Sequence, residues 1–213
     1  MAMITPALLQ SLFTGFKKNF EDAKSEAPSQ YTKIATVIKS TTASNTYGWL
    51  GNFPSLRKWV GDRVIESMKA HGYQIVNEDF EATVAVDRND IADDELGIYA
   101  PLFAEMGRSA GVHPDELCFG LLGAGFTTPC YDAQYFFDTD HPLDTTPATT
   151  FSNVVGNPGT DTGAPWFVID DMQVVKPIVF QERRPFDFQT MNATSEYTWF
   201  NNKFAAGVDG RHG

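Results

Sequence analysis

Along this chain the spacing of apolar residues changes period in a fixed order, and that order restricts the fold more than any single motif. Residues 5–24 carry Leu8, Leu9, Leu12, Phe13, Phe16 and Phe20 at helical spacing, behind Thr5 as an N-cap and Pro6 at the first helical position. "YTKIATVIKS" then alternates and is β-branched, which predicts a strand. Strand-like runs follow at 73–76 and 80–87, the second setting Phe80, Ala82, Val84 and Val86 against polar partners. Helical spacing returns through Leu96, Tyr99, Leu102, Phe103 and Met106. Asp90, Asp93, Asp94 and Glu95 precede it, where a helix N-terminus favours negative charge. Pro114 is placed to start a second turn or helix, and Gly123 and Gly125 to stop it. Residues 127–165 show no strong period and read as loop, dense in Thr, Pro, Gly and Asp. "WFVIDD" and "VVKPIVFQERRPFDFQTM" read as strands, and "SEYTWFNNKFAAGVDGRHG" as an aromatic and then glycine-rich end. Helix, strands, long helix, loops, strands is an α+β order.

Composition excludes several functions. The 213 residues suffice for a sizeable core, and 42% hydrophobic content predicts folding rather than disorder. A formal charge of −11 argues against tight sequence-independent binding to nucleic acid and against an anionic membrane surface. No apolar run approaches the ~20 residues of a spanning helix. The N-terminal run lacks a basic n-region and a small-residue cleavage site, so no signal peptide is expected. Two cysteines, Cys118 and Cys130, match neither a disulfide framework nor a zinc spacing, and point to reduced thiols in a cytoplasmic compartment. The N-terminal helix itself has three readings: a core helix, an arm docked on a neighbouring subunit, or a membrane-surface helix.

Chemistry-bearing residues concentrate in "YFFDTDHP" (135–142). Asp138, Asp140 and His141, with Asp144 nearby, are the side chains that bind hard or borderline cations or perform acid–base work. A catalytic metal site would need further ligands from elsewhere, and His71, His113 and His212 complete no such pattern. Cys130 has no histidine near it in sequence and no thiolate-stabilising cation. "GLLGAGF" lacks the lysine of a phosphate loop and follows a helix, not a strand. The alternative is a turn in which Asp and Thr side chains bond local backbone and Pro142 fixes the exit. No catalytic, cofactor-binding or metal residue is therefore assigned.

Five collinear stretches resemble one family. They are "YGWLGNFPSLRKWVGDR" (47–63), "NEDFEATVAVDRNDIADDELGIYAPLFAEMG" (77–107), "HPDELCFGLLGAGF" (113–126), "CYDAQYFFDTDHP" (130–142) and "VVKPIVFQERRPFDF" (174–188). Together they are similar to the Mu-like prophage major head subunit. The resemblance implies a virion structural protein with the common tailed-bacteriophage major-capsid fold, self-assembling into an icosahedral shell around phage DNA. It maps 1–45 as the N-terminal arm and 46–80 as the extended loop. It maps 81–126 as the peripheral domain with its spine helix near 93–112, 127–173 as axial-domain or insertion loops, and 174–213 as return strands. Family members usually continue past the equivalent of "FAAGVDGRHG", so this is either a shortened member or part of a longer chain, and a missing segment would take part of the axial domain with it. The implied partners are further copies in pentamers and hexamers, scaffold or decoration proteins, and packaged DNA without specific recognition. The implied place is the virion, assembled in the bacterial host cytoplasm. Trp49, Phe53 and Trp59 would supply interface area, and Arg57, Lys58, Arg63, Lys69 and His71 would pair with acidic patches on the next subunit. Two readings compete with it: a metal-dependent hydrolase using Asp138, Asp140 and His141, and a head-decoration or tail structural protein.

Overall fold

The computed structural model describes residues 4–50, 70–92, 97, 99–130, 132–143, 149–156, 160–161, 163–191 and 195–213. Phe53, Trp59, Arg57, Lys58, Arg63 and Lys69 lie outside the described residues, as do Asp93, Asp94, Glu95, Leu96 and Asp144, and the side chains of Trp49 and His71. The chain forms two compact units. One comprises Met1–Thr41, Asn77–Cys118 and Asp170–Gly213; the other comprises Thr42–Val76 and Phe119–Ile169.

The first unit is built on a four-stranded sheet with the order β1 (Ala35–Lys39), β7 (Ile178–Thr190), β8 (Lys203–His212), β4 (Glu78–Asp87). β1 runs parallel to β7, while β8 is antiparallel to both β7 and β4. Helix α1 (Pro6–Glu26) starts where the sequence places it, with Thr5 Oγ1 accepting from Leu8 N at 3.2 Å. It buries Leu9, Phe16 and Phe20 in the core of its own chain, so its apolar stripe packs as a core helix, with Leu8 left half-exposed at its edge. Phe16 stacks on Phe103 at 4.3 Å between centroids, and Phe188 of β7 meets both Phe20 and Phe103 at 5.6 Å. Helix α2 is a single turn (Tyr31–Ile34), and Asp115 accepts from the amides of Gln30 and Tyr31 at its start.

The central acidic and helical region divides into α3 (Arg88–Ala92) and α4 (Tyr99–Ala124), joined by a hydrogen bond from the Tyr99 hydroxyl to Asp90. Pro114 does not begin a second helix; α4 runs through it. One missing amide bond is outweighed by packing on both sides of the proline. Ala110 and Cys118 are buried, and the His113 ring lies 4.4 Å from Phe80 and 5.4 Å from Phe186. α1 and α4 approach closely at Gly107 and Gly111. A Cβ at Gly107 would overlap the Phe20 carbonyl, and one at Gly111 would lie 2.8 Å from the Lys24 carbonyl oxygen.

One strand expectation changes. "WFVIDD" forms no strand: Trp166 and Val168 find no partner strand among the described residues, and Asp170 turns the chain by accepting from Met172 N. The glycine-rich end forms strand β8, between β4 and β7. Its glycines serve close approach: a Cβ at Gly207 would be 2.8 Å from the Ala82 carbonyl oxygen, and one at Gly210 2.7 Å from the Phe186 ring.

A buried polar joint closes this unit. Asn77 Nδ2 donates to Ser40 Oγ at 3.0 Å, and Gln181 Nε2 donates to Asn77 Oδ1 at 2.7 Å. Gln181 and Gly213 exchange backbone hydrogen bonds at 2.7 and 2.9 Å. Ser40 and Asn77 flank the segment 42–76, whose described ends form the antiparallel pair β2 (Ser44–Leu50) and β3 (Ala70–Val76). The second unit also holds a short hairpin, β5 (His141–Leu143) and β6 (Thr149–Phe151), inside the stretch read as loop.

Gly107→Ala should lower unfolding stability by about 1–3 kcal/mol, the cost of overpacking. Gly15→Ala, where an added Cβ meets nothing within 4 Å, should raise it by about 0.5–1 kcal/mol through helix propensity. Denaturant midpoints of the two variants check both signs.

The buried rings of His113 and His212 add a pH dependence. Burial drives His212 down to about 4, with the charges of His113, Lys24 and Lys39 adding to it against Glu182. Burial likewise lowers His113, against the pull of Glu116. An unfolded histidine titrates near 6.5. Below that pH the unfolded chain takes up protons that the folded chain refuses. Stability should thus be whole above pH 6.5 and fall steadily toward pH 4. Urea midpoints on either side of this window test it: the drop should shrink in His212→Phe, and a flat profile in the parent chain would contradict it.

Candidate functional site

The FFDTDHP stretch lies in the second unit, in the chain that follows α4. The helix ends as Thr127 N and Thr128 N both donate to the Ala124 carbonyl at 3.0 Å. A tight turn follows, with Cys130 N bonded to the Gln134 carbonyl at 2.7 Å and Ala133 at a positive φ of 68°. Phe137 N then bonds the Gly125 carbonyl at 3.0 Å. The Phe137 ring packs on Phe126 at 4.9 Å and Phe167 at 5.2 Å. Phe136 and Phe137 are half-buried rather than fully buried.

The first aspartate of the motif, Asp138, acts on the backbone. Asp138 Oδ1 accepts from Thr139 N at 2.7 Å, and its own N–H donates to Asn153 Oδ1 at 3.0 Å. Asn153 Nδ2 completes the turn on the Phe136 carbonyl at 2.6 Å. Asp140 is exposed. Neither carboxylate reaches His141, so Asp138, Asp140 and His141 form no common site, and the turn reading holds for Asp138.

His141 finds a different acid. At the first position of β5 its Nδ1 lies 2.7 Å from Asp132 Oδ2, and both side chains are more than nine-tenths buried. Its ring stacks on Phe151, its cross-strand partner, at 5.2 Å. The other oxygen, Asp132 Oδ1, accepts from Cys130 Sγ at 2.9 Å and from Gln134 N at 3.1 Å. Burial works against the Asp132 charge, but the hydrogen bonds from Cys130, His141 and Gln134 outweigh it and hold the carboxyl below its ordinary range. Cys130, Asp132 and His141 thus each offer one ligand-type atom, all within 4.8 Å of one another.

The carboxylate stands between thiol and imidazole. The near nitrogen of the ring is on oxygen, not on sulfur, so the set is not a Cys–His nucleophile pair. The expectation that Cys130 has no histidine near it fails in space, because the turn at 130–134 and the β5 start fold back on each other. Asp132 went unnoticed in the sequence; the available signal was Cys130, Asp132 and His141 falling within twelve residues. Cys118 is a separate case: buried in α4, its thiol is pushed up to about 12 by burial and the Asp115 charge. Neither cysteine is in a disulfide.

Exposed apolar side chains are the other notable surface. On α5 (Glu196–Asn201) Trp199 and Phe200 are 85% and 80% exposed. In the second unit Trp166 and Val168 are fully in solvent. No described helix is long and apolar enough to cross a membrane.

Comparison with known proteins gives one consistent result. The model of the family "Mu-like prophage major head subunit gpT" matches residues 9–213. The chain is similar to the "Mu-like prophage FluMu major head subunit" of Haemophilus influenzae, 49% identical, covering 99% of this chain and 70% of that protein. It is similar to the "Major capsid protein" of Escherichia phage Mu, 48% identical, covering 98% of this chain and 70% of that one. Among solved structures it resembles the subunit of the bacteriophage JBD30 procapsid, with a TM-score of 0.82 and 51% identity over 98% of this chain and 71% of that one. The JBD30 capsid subunit matches with a TM-score of 0.65 and 46% identity over 99% of this chain and 69% of that one.

Asp132→Ala would strip three donors of their shared acceptor, two of them on nine-tenths-buried or half-buried side chains. It should lower stability by about 1–3 kcal/mol. Asp140→Ala, at an exposed position, should stay within about 0.5 kcal/mol of the parent. Thermal unfolding of both variants measures the contrast.

Proposed function

Because the chain belongs to the family of Mu-like prophage major head subunits, we propose that copies of it associate into the pentamers and hexamers of an icosahedral phage head. The chain is a structural capsid protein of the virion and not an enzyme. The hydrolase reading falls with that assignment, as does a decoration or tail role. The observation that carries the proposal is near-half identity along the whole chain to a major capsid protein, joined to likeness with a solved procapsid subunit.

The division of labour is proposed from the resemblance: 1–45 as the N-terminal arm region with α1 seated on its own subunit, 46–80 as the extended loop, and 81–126 as the peripheral domain with α4 as its spine. Residues 127–173 would be axial-domain or insertion loops, and 174–213 the return strands. The Ser40–Asn77–Gln181 joint supports this reading of the extended loop, since it fixes both roots of the segment 42–76 to the sheet. Aromatic side chains left in water support burial against a neighbour: such residues dominate interface energetics when a partner covers them. Packaged DNA would be enclosed without sequence recognition, consistent with a charge of −11. Scaffold or decoration proteins and assembly in the host cytoplasm complete the proposal. One solved relative supports the decoration partner by its description, a JBD30 capsid "decorated with minor capsid protein trimers".

Trp199→Ser with Phe200→Ser tests the assembly surface. Both side chains are exposed, so the subunit should keep its unfolding midpoint within about 0.5 kcal/mol equivalent. Particle yield by light scattering and negative-stain microscopy should fall at least about 10-fold, the effect of losing interface anchors. Parent-level yield of shells from the double variant would remove α5 from the proposed interface.

A further inference from the structure

We propose that Cys130, Asp132 and His141 bind one divalent cation of the zinc class, which ties the turn after α4 to the β5–β6 hairpin. The site is independent of the capsid assignment and catalyses nothing. Donor chemistry selects the ion. A thiolate, an imidazole and one carboxylate oxygen are the set that suits zinc and its neighbours, whereas magnesium and calcium take oxygen shells. Geometry allows it. The three ligand atoms already lie within 4.8 Å of one another. Metal–ligand lengths of about 2.0–2.3 Å imply donor spacings of roughly 3.3–3.6 Å around a tetrahedral ion. The 2.7 Å separation of Asp132 Oδ2 from His141 Nδ1 therefore needs to open by less than about 1 Å, and Cys130 Sγ already lies within 4.8 Å of the other two donors.

The proton accounting closes. Cys130 loses its S–H proton to solvent as the sulfur–metal bond forms. His141 binds through Nδ1 and moves its ring proton to Nε2, where no hydrogen bond to a described residue has to break. Asp132 binds through Oδ2 and keeps the Gln134 amide on Oδ1. Thiolate, carboxylate and neutral imidazole then balance a dication, and the buried carboxylate gains a counter-charge. Three donors among the described residues leave a fourth position for water. Two of the three side chains are more than nine-tenths buried, so the cation would sit out of bulk solvent and act as a cross-link in a stretch with little other regular structure.

Titration of the chelator-stripped chain with Co2+ tests this. One Co2+ per chain should bind, giving tetrahedral visible bands and a thiolate-to-cobalt charge-transfer band, both abolished by equimolar Zn2+. Cys130→Ser should lose the charge-transfer band, while Cys118→Ser should keep it. The proposal is overturned if the parent chain binds no Co2+ at millimolar metal, if the band survives Cys130→Ser, or if it follows Cys118 instead. Should Cys130→Ser fail to fold, alkylation of the parent chain with iodoacetamide decides. Zn2+ should protect Cys130 from labelling, and equal labelling with and without Zn2+ would reject the site.

Discussion

The contact of α1 with α4 at Gly107 and Gly111 is the constraint on which the first unit depends. Two glycines one helical turn apart let the backbone of α1 approach until the Phe20 and Lys24 carbonyls rest against α4. Only at that separation do the rings between the helices and the sheet interlock: Phe16 on Phe103, Phe103 and Phe20 on Phe188. Interiors pack to crystal density, so a methyl inserted at Gly107 must push the Phe20 backbone away. α4 continues through Pro114 for the same reason, because the packing on either side outweighs the lost backbone bond.

The second constraint is polar and lies at the other end of the sheet. Ser40, Asn77 and Gln181 are buried, and each satisfies another, so the joint tolerates no apolar replacement of one member alone. Its members lie far apart in the chain, on either side of the β2–β3 segment and in β7. A buried, mutually bonded triad fixes the chain at residues 40 and 77 without adding to the apolar core.

The fold was legible where local physics acts. Thr5, Pro6 and the stripe ending at Phe20 specified α1, and alternation specified β4. The motif set at 47–188 indicated the family, which the comparisons bear out. Legibility failed where a residue's role depends on something distant in sequence. Local reading of β8 finds only a glycine-rich end, whereas its glycines admit the Ala82 carbonyl and the Phe186 ring. "WFVIDD" has strand composition but no partner strand among the described residues. Asp132 is unremarkable beside "FFDTDHP", yet it, and not Asp138 or Asp140, meets His141.

The sequence by itself thus determined the α1 stripe and its start, the alternation of β4, the acidic balance and the family, because each rests on spacing, composition or ordered motifs. The tertiary structure alone decided which groups meet. The Gly107–Phe20 contact, the Ser40–Asn77–Gln181 joint and the Cys130–Asp132–His141 cluster are all made by chain segments brought together in folding. Hydrogen bonds and close packing act over a few ångströms in space, and spacing along the chain does not report that distance.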